Sequence, residues 1–173
     1  MKSRLSQLVI TATVGGLLAF STSQAAEPAM PGTVSELMAG PVTNASNELW
    51  NAPLIEPPAG ATKPVLTAEQ WDGLKKNAQQ LQSIAKLLLN ADLPIAPAGK
   101  VANEGELTPD GVAAQRKQQW EVWKAQVGIL NDGAANSLKA IESKDIDAVT
   151  AAGDTLYNVC DSCHKLFWYP QQQ

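Results

Sequence analysis

The chain has little of what catalytic and metal sites are usually made from. Its 173 residues include one histidine, His164, and two cysteines, Cys160 and Cys163. With that one histidine next to a cysteine pair, no Ser/His/Asp set can be assembled, and the protein does not read as an enzyme. Three soft ligands fall short of the four a structural zinc site takes. Positive charge is scarce, with 13 basic residues against 17 acidic ones, so neither nucleic acid nor an anionic membrane surface is expected as a partner. No stretch sustains a period of two, so no sheet is expected, and no glycine-rich phosphate loop follows a strand. The mostly apolar run at residues 8–20 contains Gly15 and Gly16 and is shorter than the ~20 residues that span a bilayer.

That run has the makings of an export signal. Lys2 and Arg4 precede it, and Ser23-Gln24-Ala25 offers small residues where a signal peptidase cuts. Residues 1–25 therefore read as a signal peptide removed on export, the alternative being a retained membrane anchor. After cleavage no membrane span is expected, and no cysteine near the cut offers a lipid anchor. Residues 26–173 remain, enough for a single domain. Loss of Lys2 and Arg4 lowers the basic count from 13 to 11 and takes the net charge from −4 to −6.

The mature chain reads as four helices. Residues 26–32 form a short tail. Thr33 followed by Glu36 is a capping-box pattern, and Val34, Leu37, Met38, Val42, Ala45 and Leu49 follow at helical spacing. Pro41 predicts a kink or break just after Met38. Residues 51–66, with four prolines, read as a loop. A second helix opens at Thr67 with Gln70 and carries Trp71, Leu74, Ala78, Leu81, Ala85 and Leu88 to about Asn90. Residues 91–107 form another loop. A third helix starts near Thr108 and carries Trp120, Trp123, Val127, Leu130, Ala134, Leu138 and Ile141 without a break to Ser143-Lys144. The fourth begins near Asp145 or Asp147 and presents Val149, Ala152, Leu156, Cys160, Cys163 and Phe167 before Pro170. The expected fold is all-α, a four-helix bundle.

Residues 160–164 read Cys-Asp-Ser-Cys-His, the C-x-x-C-H pattern of covalent haem c attachment. Two thiols that bond the two vinyl groups on one porphyrin edge must stand a fixed distance apart. On a helix, positions i and i+3 share a face, and His164 at i+4 projects from it too. Its imidazole then reaches the iron as proximal ligand. Three other readings compete: zinc, a thioredoxin-like pair and a plain disulfide. A thioredoxin-like pair opens a helix, where the dipole lowers a thiol pKa, whereas this pair lies near a helix end. A disulfide leaves His164 without a role.

A C-x-x-C-H close to the C-terminus, on the last of four helices, resembles the cytochrome c′ group, the class II c-type cytochromes. The likeness runs through the mature chain in helix order and motif position. It implies an antiparallel bundle with one covalent haem and the first helix against the distal face. It also implies either a vacant sixth position or a methionine there, and frequent homodimers. The group often has a basic residue four after the histidine, and another one turn before the distal position. Trp168 and Val34 stand in those places here, with Lys165 the nearby base, so this chain resembles a divergent branch.

No second histidine exists to ligate the iron. Met30 and Met38 are the mature chain's thioethers. Met30 lies in the tail. Met38 lies on the apolar stripe where the resemblance implies the distal residue, and the competing role is ordinary core packing. With Met38 as ligand the expected function is a periplasmic one-electron carrier with an unidentified periplasmic redox partner. With a vacant position it is a gas-binding protein that takes NO or CO. A haem-free helical protein with a structural or redox C-x-x-C is the third expectation.

Overall fold

The computed structural model describes residues 32–170, and every element among them is helical. The proposed signal peptide, most of the tail and Met30 lie outside the described residues. Helix α1 (Val34–Leu37) leads through a π-turn (Met38–Val42) into α2 (Thr43–Asn51). A 3-10 turn (Ala52–Leu54) precedes the irregular segment before α3 (Ala68–Leu88). Then come α4 (Pro109–Gln118), α5 (Trp120–Glu142) and α6 (Ile146–Phe167). None of these helices is long and apolar enough to cross a membrane.

The caps follow from local chemistry. Thr67 and Gln70 form a reciprocal capping box at α3. Thr33 accepts from the Glu36 N–H, but the Glu36 carboxylate accepts from the Thr33 hydroxyl instead of from the backbone. The first amides of α1 are satisfied from a distance: Val34 and Ser35 donate to the carbonyls of Pro94 and Ile95, both at 2.8 Å. Asp145 caps α6 by accepting from the N–H groups of Asp147 and Ala148.

The structure adds to the sequence expectations at two points. The helix is irregular just after Met38, as expected, but as a π-turn that runs on through Pro41 without a break. The π-turn takes in the residue without an N–H, and the Met38 carbonyl accepts from both the Thr43 N–H and the Thr43 hydroxyl, the latter at 2.7 Å. The turn keeps the buried stripe continuous, since Val34 and Leu37 before it, Val42 within it, and Ala45 and Leu49 after it are all buried. The expected third helix is two helices, α4 and α5, because Gln119 leaves helical geometry at φ −117°, ψ 41°. Val112, Arg116 and Trp123 keep helical phase across that break and are all buried, so the apolar pattern carries no sign of it.

Helix α5 packs against both α3 and α6, and α2 packs against both as well. The seams are largely those expected. Trp71, Leu74, Ala78, Leu81, Ala85 and Leu88 are buried on α3, and Val149, Leu156 and Phe167 on α6. Cys160 and Cys163 sit half-buried at the margin of this core, with Met38 against the same cluster.

Candidate functional site

The last two turns of α6 pack Val159 and Phe167 into the core and leave Cys160, Cys163 and His164 half-buried at its margin. Those turns hold Cys160, Cys163 and His164, and the side chains around them hold the turns in place. Ser162 donates to Gln126 on α5 at 3.1 Å, and Asp161 pairs with Lys165 at 2.8 Å. Phe167 is fully buried and meets Trp123 edge to face, with centroids 5.0 Å apart. The Trp123 indole donates to the Leu88 carbonyl at 2.7 Å, and the Arg116 guanidinium lies 5.7 Å from the ring centroid. Arg116 itself, 8% exposed, donates to the carbonyls of Leu93 and Ala91. Sequence reasoning passed over Arg116, because a basic residue in a polar run shows nothing of the distant carbonyls it will meet.

An open pocket of about 370 Å³ lies beside these turns. Cys160, His164 and Trp168 border it from the α6 side, and Met38, Val42, Ser46 and Trp50 from the first helical stretch. Lys100, Asn103 and Glu106 from the loop before α4 close another side. A smaller apolar chamber adjoins it, bordered by Met38, Val42, Trp123, Cys160, Cys163 and His164 among others. The structure thus brings all four expected site residues to one place. Met38, Cys160 and His164 border both spaces, and Cys163 borders the inner one.

Burial dominates the electrostatics. It pushes the Cys160 thiol up and the Cys163 thiol up to about 12, with the charge of Cys160 adding at Cys163. A reactive redox pair needs the opposite shift. Burial lowers the pKa of His164, against the pull of Asp161, which favours the neutral imidazole with a lone pair for a metal. Among the described residues, no three His, Cys, Asp or Glu side chains form a group that could hold a metal ion. Iron in a porphyrin asks only for axial donors, and the pocket offers one imidazole and one thioether.

One further observation bears on what the pocket takes. The Ser46 hydroxyl is buried, borders the pocket and has no hydrogen-bond partner. A buried hydroxyl without a partner costs about 1–3 kcal/mol, which a group entering the pocket would offset by accepting from it. An imidazole, a thioether and two thiols border these two spaces, a donor set that would suit a covalently held haem. Of the positions where the resemblance implied basic residues, Val34 is fully buried in the core and Trp168 lines the pocket. Among the described residues, Lys100 is the one cation that lines the pocket.

No family model, curated protein or solved structure matches this chain. The functional reading therefore stands on the residues and their geometry.

Proposed function

We propose that the protein is an exported monohaem c-type cytochrome, similar to the cytochrome c′ group, that works as a periplasmic one-electron carrier. Cys160 and Cys163 would hold the haem covalently, His164 would be the proximal iron ligand and Met38 the distal one. The observation that carries this reading is the convergence of Met38, Cys160 and His164 on one pocket from opposite ends of the chain. The mutual packing of α2, α3, α5 and α6 supports an antiparallel four-helix bundle with the haem toward the C-terminal end of α6.

Bound haem supplies a reversible one-electron couple. The chain does the rest. The His164 imidazole and the Met38 thioether would hold the iron, a pair that would raise its reduction potential relative to a site without the thioether. Trp123, Val127 and Val42 line the inner side and would keep water from it, which disfavours the more highly charged oxidised state.

A second reading has its own support. The unpartnered Ser46 hydroxyl on the same pocket suits a vacant sixth position, where a diatomic ligand such as NO would need a donor. The ferric absorption spectrum separates the two. Low-spin iron that turns high-spin in Met38→Ala supports the carrier. High-spin iron that takes up CO or NO readily in the wild type overturns methionine ligation. A denatured protein without a covalently retained haem spectrum, after expression with the maturation machinery, overturns both.

A further inference from the structure

The residues just past α6 fold back over its end. The N–H groups of Trp168 and Tyr169 both donate to the His164 carbonyl, at 2.7 and 2.8 Å. This places the Tyr169 ring against the His164 imidazole, with centroids 6.5 Å apart and planes at 79°. A tyrosine two residues beyond a helix end has no helical turn to hold its side chain. This one is fastened. Its hydroxyl donates to Glu106 Oε1 at 3.1 Å. Glu106 Oε2 accepts from the Asn103 N–H at 2.8 Å and from Asn103 Nδ2 at 2.9 Å. One step further, the Leu107 N–H donates to the Trp168 carbonyl at 2.9 Å. Residues 103–107 thus form a strap across the end of α6, tied at both the tyrosine and the backbone before it.

We infer that Tyr169 is a positioning residue for His164, and that the Asn103–Glu106 strap holds it in place. The inference rests on the haem reading above, since it concerns how an axial imidazole is oriented. An imidazole at the end of a helix can turn about its Cβ–Cγ bond. A ring packed edge to face against it restricts that turn and keeps water off the same side. Residues that orient an axial ligand tune the metal without touching it. The strap also borders the pocket, through Asn103, Glu106 and Leu107, so part of the wall of the site is also the clamp on its ligand.

The test uses full-length protein matured with haem, comparing wild type with Tyr169→Phe, Tyr169→Leu and Glu106→Ala. Covalent haem content is measured first, on denatured protein. Midpoint potential and the rhombicity of the ferric electron paramagnetic resonance spectrum are then measured on folded protein. Tyr169→Leu keeps bulk but loses the ring edge, and is expected to lower the potential and broaden or shift the g-values. Tyr169→Phe keeps the ring but loses the hydroxyl's bond to Glu106, and Glu106→Ala cuts the same bond from the other side. Both are expected to fall between wild type and Tyr169→Leu. Wild-type potentials and g-values in Tyr169→Leu, at wild-type haem content, overturn the positioning role alone. Absence of covalent haem from the wild type overturns the haem reading and this inference with it.

Discussion

At residue scale, two glycines of similar helical setting carry opposite expectations. Gly128 lies within α5 with no atom near the place a Cβ would occupy. Gly128→Ala is expected to stabilise the protein by about 0.5–1 kcal/mol through helix propensity and lost unfolded-state freedom. Gly153 lies within α6 under Trp50, and a Cβ there would come within 3.2 Å of the indole. Trp50 is not at liberty to yield: its Nε1 donates to the Gly153 carbonyl at 3.0 Å, and its ring meets Tyr157 edge to face. Gly153→Ala is therefore expected to destabilise by roughly 1–2 kcal/mol, overpacking outweighing propensity. Chemical denaturation of both variants decides it, and a stabilised Gly153→Ala would show that Trp50 moves. The glycine's role was invisible in the sequence, because Trp50 is far away in the chain. The three motif residues were visible, because i, i+3 and i+4 spacing places them on one helical face whatever the surroundings.

At the scale of elements, the π-turn sets where Met38 stands. A π-turn absorbs one residue more than an α-turn, so deletion of the exposed Ala39 leaves the flanking stripes in phase but puts Pro41 inside a regular α-turn. Its ring then crowds a carbonyl of the preceding turn, at an expected cost of about 3 kcal/mol. The same deletion made together with Pro41→Ala is expected to cost much less. Circular dichroism during denaturant unfolding measures both, and equal losses with and without the proline would mean that Pro41 is not what the π-turn accommodates. A perturbation at Pro41 was legible in advance, since a residue without an N–H always disturbs a helix. Its form was not, because the choice between a break and an inserted residue depends on the partners of the buried side chains on both flanks. The break at Gln119 went unread for a related reason. The apolar stripe runs through it in phase, while Arg116 and Trp123 on either side are tied to carbonyls at the end of α3 and in the loop that follows.

At the scale of the whole molecule, the loop between α3 and α4 joins distant parts. Its Pro94 and Ile95 carbonyls cap α1, its Ala91 and Leu93 carbonyls take Arg116, and its Asn103–Leu107 end straps the tail of α6. Glu106 gives this strap a pH dependence. Hydrogen bonds from the Asn103 N–H and then the Asn103 side chain hold its carboxyl below the ordinary carboxylate value. Tyr169 and the charge of Lys100 act the same way, against some loss of solvation. A carboxyl depressed in the folded state adds stability above its unfolded pKa and loses it as pH falls through the folded one. Wild type should therefore exceed Glu106→Gln in thermal stability near neutrality, and the gap should close as pH drops below the carboxylate range. A gap that stays constant with pH would mean the charge of Glu106 contributes nothing.

The sequence by itself determined what depends on near neighbours: helices with their caps at Thr67, Thr108 and Asp145, the apolar seams, and a motif with two thiols and an imidazole on one face. Capping and helical spacing act over three or four residues, so their outcome is written locally. Only the tertiary structure decided that Met38 and His164 share a pocket, that Ser46 is left there without a partner, and that Tyr169 is held against the imidazole. Each of these joins residues whose meeting depends on how whole helices pack and where a long loop returns, and no local pattern encodes that.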